Sequence, residues 1–328
     1  MAAGRWVLVT GGAGYVAGCT VRALLAEGYR VTVLDDLSTG HADAVPPECE
    51  LVRGRVGDAA VTAPLFARPG LAAVFHFAAR TSVPESVADP LAYYETNLVE
   101  SVALVRAVVA APSRPLFVFS SSAAVYGHPD RSPVSEASPA LPISPYGETK
   151  RATEALLAWA ERAYGLRWAA LRYFNAAGAA PGVVERHEPE GHLVPNLLRA
   201  ARGGPPATLY GTDYPTDDGT AVRDYVHVLD LAEGHLLAMR HLEAGGASMA
   251  LNLGSGQGTS VRQVLAAVEA AVGAPVPHRW GERRPGDPPH LVADISLARR
   301  VLGYAPRASD IARVVADAWR YGRFPSER

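Results

Sequence analysis

A tyrosine and a lysine four residues apart, Tyr146 and Lys150, lie in the stretch Ser144-Pro145-Tyr146-Gly147-Glu148-Thr149-Lys150. On a helix that spacing puts both side chains on one face. A phenol ionises near pH ~10 in water. An ammonium held beside it stabilises the phenolate and lowers that value, which yields a base poised nearer neutral pH. Composition singles the pair out. Lysine and arginine total 31 and Lys150 is the only lysine, so 31 − 1 = 30 are arginine. The chain takes arginine wherever else it wants a cation, yet places its one lysine, whose pKa shifts more readily, a helical turn from a tyrosine. The plainer reading, a half-buried tyrosine and a solvated lysine, leaves that choice unexplained.

The elements that position the pair follow from pattern. Pro145 suits the first turn of a helix, where a missing N–H costs little, and Ser144 suits its N-cap. From Tyr146 to about Tyr164, Ala152, Ala155, Leu156, Trp159 and Ala163 recur at helical spacing. Upstream, Trp6 to Thr10 reads as a buried parallel strand. Gly11-Gly12-Ala13-Gly14-Tyr15-Val16-Ala17-Gly18 follows, then an Ala/Leu-rich helix to about Gly28. Strand, glycine turn and helix aim backbone N–H groups at a helix N-terminus, which suits a pyrophosphate. Val31 to Leu34 is a second strand closed by Asp35, whose carboxylate suits a ribose 2′-OH and repels a 2′-phosphate, favouring NAD over NADP.

Leu51-Val52 begins a third strand, and Ala72 to Ala78 is another. A helix is predicted from Tyr93 to Ala110. Leu116 to Ser120 is a strand that delivers Ser120-Ser121-Ser122 to its C-terminal edge, where ligands of open α/β sheets bind. Trp168 to Tyr173 is a further strand. This alternation predicts an α/β, Rossmann-type doubly wound parallel sheet. After about residue 176 loops crowd 178–191, 203–206 and 210–219. A helix is predicted at Val226–Leu242, a strand at Ala250–Gly254 and a helix at Ser260–Val272. The chain therefore divides into an NAD-binding domain, 1–175, and a smaller mixed α/β substrate domain, 176–328, with about 226–255 returning to the first.

Composition narrows the function classes. The 328 residues carry net charge −2 with no basic block, which gives nucleic acid no footing. No apolar run reaches ~18 residues, so no membrane partner is expected. Cys19 and Cys49 lack metal or redox spacing and fit a reduced, cytoplasmic setting. The ten histidines are scattered without ligand spacing, so no metal is expected.

GGAGY, DDLSTG, HFAA, SSSAAVYG, SPYGETK, LRYFNAAGA and YGTDYPTDDGTAVRDYVHVLDLAEGH together resemble the extended short-chain dehydrogenase/reductase family. Within it they are most similar to the UDP-glucose (UDP-galactose) 4-epimerases. The resemblance spans essentially the whole chain. YxxxK and the glycine loop mark only the superfamily, whereas GTDYPTDDGTAVRDYVHV is far more specific. The resemblance implies that Tyr146 removes the proton of the sugar 4-hydroxyl, Ser122 hydrogen-bonds the same oxygen and Lys150 holds the nicotinamide ribose. Hydride passes from C4 to tightly held NAD and returns to the other face of a transient 4-keto sugar. It assigns Gly11, Gly14, Tyr15, Val16, Asp35, Asp36, Asp58, Phe77, Ala78, Ala79, Asn97, Ser120 and Tyr173 to the cofactor. It assigns Asn175, His192, Leu193, Tyr210, Arg223, Arg284 and Asp287, with Ser122 and Tyr146, to the UDP-sugar. A homodimer joined through the helices near Tyr93–Ala110 and Tyr146–Tyr164 is also implied.

Departures from the family pattern are specific. Ala17 stands where a third glycine falls. The adenine-meeting Asp expected after Gly54 is replaced by Arg55, so either Arg55 makes that contact or Asp58 supplies it from a shifted register. Thr81 replaces a lysine near the cofactor. Leu291 falls near a position that gates the sugar pocket, which opens the pocket to an N-acetyl group. Other readings are a 4-epimerase of another UDP-sugar (N-acetylated, glucuronate or pentose), a sugar-nucleotide dehydratase and a non-enzymatic NAD sensor. A dehydratase needs carboxylic groups where Ala123 and Ala124 stand, and a sensor has no use for Ser122, Tyr146 and Lys150 together.

Overall fold

The computed structural model describes residues 5–187, 190–284 and 286–322. The first six strands are β1 (Trp6–Thr10), β2 (Arg30–Asp35), β3 (Glu50–Arg53), β4 (Leu71–His76), β5 (Leu116–Ser122) and β6 (Trp168–Tyr173). Shorter strands follow: β7 (Asn175–Ala177), β8 (Ala207–Tyr210), β9 (Val222–Arg223) and β10 (Tyr225–His227). The last four are β11 (Met249–Leu253), β12 (Thr259–Ser260), β13 (His278–Gly281) and β14 (His290–Leu291). The helices of the first half are α1 (Tyr15–Ala26), α2 (Ala59–Phe66), α3 (Val83–Ala88), α4 (Pro90–Tyr93), α5 (Glu100–Ala110) and α6 (Pro145–Tyr164). Those of the second are α7 (Leu193–Ala201), α8 (Val228–Glu243), α9 (Val261–Val272), α10 (Ser296–Leu302) and α11 (Ile311–Tyr321).

Seven strands form one parallel sheet in the order β11-β6-β5-β4-β1-β2-β3. Its central strands are covered on both faces, so β1 and β4 are buried along their whole length and read as unbroken apolar runs. On one face Val21 and Leu24 of α1 and Leu231 and Leu236 of α8 pack against Val7, Val9 and Phe75. On the other, Leu104 and Val108 of α5 and Leu157 of α6 pack against Leu8, Val74, Phe117 and Phe119. The strand order reverses between β1 and β4, and the crevice there is where such sheets bind ligands. A third core joins Val194, Leu197 and Leu198 of α7, Val264 and Val268 of α9 and Val314 of α11 beside β8 and β13. β11 returns to the large sheet by pairing with β6.

Three of the element boundaries that differ from the sequence expectation have a clear physical reason. The helix expected over Tyr93–Ala110 is α4 and α5 joined by a π turn, Tyr94–Val99. That turn carries Asn97, whose side chain is tied to Arg80 and Thr149. Periodicity cannot register one added residue per turn. The helix expected from Val226 starts at Val228, because Tyr225–His227 pairs with β7 and His227 Nδ1 caps the Leu229 N–H at 3.1 Å. The strand expected to reach Ala78 stops at His76, where the Phe77 and Ala78 N–H groups both turn onto the Thr10 carbonyl.

Candidate active site

β5 and α6 bring the reactive residues together. Ser144 caps α6 by accepting from the Gly147 N–H at 3.2 Å. Gly147 lets the first turn of α6 lie against the turn after β5, since a Cβ there would fall 2.5 Å from the Ala124 carbonyl oxygen. That close approach sets Tyr146 beside Ser122, the last residue of β5, whose hydroxyl favours the ionised phenol. The Ala124 N–H donates to Ser122 Oγ at 3.2 Å, which helps hold its rotamer. Tyr93 meets the Tyr146 ring edge-on at 6.5 Å between centroids.

One turn on, Lys150 is buried. Its Nζ donates to the Ser120 carbonyl at 2.8 Å and lies 4.9 Å from the Phe119 ring centroid and 5.8 Å from that of Tyr146. Burial pushes the Lys150 ammonium down to about 7, with Glu154 pulling the other way. Burial also raises the Tyr146 phenol, and the Ser122 hydroxyl offsets this only in part. The expected lowering of the phenol by Lys150 is therefore absent from the chain's own electrostatics, because desolvation acts on both members of the pair.

The glycine loop closes the opposite side of the crevice. Gly11 has φ +71° and a Cβ there would lie 2.6 Å from the Ala78 nitrogen, so only glycine lets the β1 and β4 turns meet. Gly14 is the N-cap of α1 and offers no side-chain acceptor, which leaves the first-turn N–H groups of α1 clear. Asp35 accepts from the Ala13 N–H at 3.0 Å and the Leu37 N–H at 2.9 Å, and burial raises its pKa. Asp36 caps the Ser38 N–H at 2.9 Å. Tyr15 donates to the Gly178 carbonyl, and Val16 packs against the sheet core. Phe77 stacks on His235 with centroids 4.7 Å apart, beside Ala78 and Ala79. Tyr173 bonds His235 Nε2.

The Gly54–Asp58 departure resolves into defined contacts. Arg55 Nε donates to Glu100 at 2.7 Å, and Asp58 caps α2 through the Ala60 N–H at 2.8 Å. Each side chain is engaged by the protein itself at the edge of the cofactor crevice. Ala17 is buried in the α1–sheet core without disturbing it.

The remaining candidates lie across the crevice. Asn175 opens β7 and its N–H bonds the Asp224 carbonyl at 3.0 Å. Arg223 on β9 pairs with Asp287, and Tyr214 donates to the same carboxylate at 3.4 Å. The Arg284 guanidinium lies 4.3 Å from the Tyr210 ring centroid. Leu291 on β14 stands opposite Arg223 in register. His192 is engaged by two carboxylates. It bonds Glu185 at 2.7 Å and Glu190 at 2.9 Å, just before Leu193 opens α7.

Three further buried residues, none of them among the predicted site residues, hold polar networks. His76 bridges Thr10 and Ser101 at 2.7 and 2.9 Å beneath the crevice, and burial lowers its pKa to about 3, so it is neutral. Glu154, one turn beyond Lys150, is held by Arg172 and Ser121. Asp224 is fully buried and accepts from the N–H groups of Ser255, Gly256 and Ala293. His76 was legible as part of HFAA. Nothing local marks the other two, because their partners are distant in sequence.

A model of the NAD dependent epimerase/dehydratase family matches residues 7–254. The UDP-glucose 4-epimerase of Lacticaseibacillus casei is 44% identical over 318 residues, covering 96% of each chain. The crystal structure of UDP-glucose 4-epimerase from Brucella ovis in complex with NAD superposes with TM-score 0.93 at 42% identity, over 97% of this chain and 98% of that one. That of UDP-glucose 4-epimerase from Bifidobacterium longum in complex with NAD+ and UDP gives 0.89 at 36% identity, over 96% and 97%.

Proposed function

The chain belongs to the NAD dependent epimerase/dehydratase family, and from that premise we infer a 4-epimerase that interconverts UDP-galactose and UDP-glucose through a transient 4-keto sugar. The observation that carries this reading is the convergence of Ser122, Tyr146 and Lys150 at one sheet edge, facing a bare glycine cradle. The cradle fits NAD: Gly14 leaves the first-turn N–H groups of α1 clear for a pyrophosphate, and the Asp35 carboxylate at the end of β2 disfavours a 2′-phosphate.

Bound NAD supplies an acceptor and then a donor for the C4 hydride. Tyr146 takes the proton from the sugar 4-hydroxyl as the C4–H bond breaks, and gives it back when hydride returns to the opposite face. Ser122 hydrogen-bonds the same oxygen and keeps it within reach of the phenol. Lys150, fixed by the Ser120 carbonyl, holds the nicotinamide ribose. Arg223 and Arg284 present guanidinium forks to the diphosphate, with Asn175, Leu193, Tyr210 and Asp287 completing the nucleotide-sugar side. In this reading residues 1–175 with 226–255 hold the cofactor and the rest of the chain holds the sugar.

The reading extends to a homodimer in the cytoplasm. Leu91, Val99 and Trp159 expose 80%, 60% and 65% of their surface on the helix runs assigned to the dimer seam. The free thiols Cys19 and Cys49 suit a reducing compartment.

The test is conversion of UDP-galactose to UDP-glucose by purified protein with no NAD added, followed by chromatography. Tyr146→Phe is expected to lower turnover by roughly 10²–10⁴-fold while leaving the NAD content per chain unchanged. Full activity in that variant would break the mechanism. No turnover in the parent even with added NAD would point to another substrate.

A further inference from the structure

The segment between β7 and α7 gathers four side chains, of which the epimerase reading uses only His192. Glu185, His187, Glu190 and His192 each offer one donor atom, and these four atoms lie within 4.8 Å of one another. They come from a short Glu-x-His-x-x-Glu-x-His run that reads only as loop. His192 Nδ1 stands 2.7 Å from Glu185 Oε1 and 2.9 Å from Glu190 Oε1, and His187 Nδ1 stands 3.1 Å from Glu185 Oε1. The imidazole rings are 5.3 Å apart.

The charge arrangement asks for a cation. The Glu185 and Glu190 side chains are each only 8% exposed and converge on one imidazole nitrogen. Two buried carboxylates side by side are costly without compensation. Among the described residues their ion-pair partners are the two histidines. Arg186, between them in sequence, turns away to Asp43, with contacts of 2.9 and 3.0 Å.

We propose that Glu185, His187, Glu190 and His192 form a site for one divalent transition-metal ion, best matched by Zn2+. Two carboxylates and two neutral imidazoles balance its charge. Mixed nitrogen and oxygen donors suit zinc, whereas magnesium and calcium take oxygen alone. Tetrahedral zinc with bonds of ~2.0–2.2 Å separates its donors by about 3.3–3.5 Å. The three pairs at 2.7 to 3.1 Å need to open by a few tenths of an ångström, and the widest, at up to 4.8 Å, to close by about 1 Å.

The site clasps a segment held otherwise by the Ala180 and Val183 side chains, by Arg186 on Asp43 and by Asn196 on the Glu190 carbonyl. Between β7 and α7 the described backbone holds one isolated bridge, Ala180 with Val183. At one end Gly178 accepts the Tyr15 hydroxyl from α1, and at the other Leu193 opens α7. His187 lines the groove formed by Ala13, Gly14 and Tyr15 at the start of α1. A bound ion therefore cross-links the strap between the glycine cradle and the sugar-facing helix.

The experiment uses untagged protein stripped with chelator, dialysed against micromolar ZnCl2 and assayed for metal by mass spectrometry. CoCl2 is titrated in parallel. We expect close to one ion per chain, visible d–d bands of tetrahedral Co2+ with the native protein, and a rise in melting temperature on adding Zn2+. His187→Ala with Glu190→Gln is expected to weaken metal binding by more than tenfold and to abolish the thermal shift. Substoichiometric zinc in the native protein, or the absence of Co2+ bands, overturns the proposal without reference to any variant. Undiminished binding by a folded double variant, checked by circular dichroism, overturns it by placing the ion elsewhere.

Discussion

At the scale of residues, burial and hydrogen bonding decide the state of each reactive group. Lys150 loses its solvation shell and gains only the Ser120 carbonyl and the distant Glu154. Its pKa falls from 10.5 to about 7, so between those values the folded protein binds fewer protons than the unfolded chain. Wild-type stability then rises with pH across that window. Relative to wild type, Lys150→Met should gain stability below about pH 7, by a few kcal/mol at most since one pKa unit is ~1.4 kcal/mol. The gain should fade as pH rises toward that of free lysine. Urea midpoints of both proteins against pH check this, and parallel curves would show that burial is not what sets the lysine. The pair's spacing was legible in the sequence, but the sign of the Tyr146 shift was not, because desolvation depends on neighbours such as Tyr93 and Phe119 that the motif does not contain.

At the scale of elements, local rules carried most positions. Pro145 and Ser144 mark the start of α6, and Gly165 in a left-handed conformation ends it. Ser144→Ala should cost about 1 kcal/mol by stripping the Gly147 N–H of its acceptor. Because that turn seats Tyr146, turnover should fall along with the urea midpoint, whereas Ser144→Asp, which restores an acceptor, should recover both. The elements that pattern missed are those whose geometry depends on a distant partner. The π turn bulges where Asn97 meets Arg80 and Thr149, and β10 is a strand only because β7 lies beside it.

At the scale of the whole molecule, buried polar residues tie together segments far apart in sequence. Asp224 takes N–H groups from Ser255 after β11, from Gly256 and from Ala293 after β14. Asp224→Ala leaves three buried amides without acceptors, at ~1–3 kcal/mol each. We expect a loss of about 3 kcal/mol or more, read from equilibrium unfolding. Asp224→Asn, which keeps one acceptor oxygen, should lose less. Equal stability of all three proteins would mean that water replaces the carboxylate.

The alternating α/β order, the glycine cradle, the acidic end of β2 and the Tyr146/Lys150 face are all legible in local sequence. Each of these rests on contacts within one element or one turn, where spacing dictates geometry. Only in the folded chain do Arg55 and Glu100, Glu154 and Arg172, and His192 and Glu185 become partners. A charged side chain goes to the nearest group of opposite sign, and which group is nearest is a property of the folded chain.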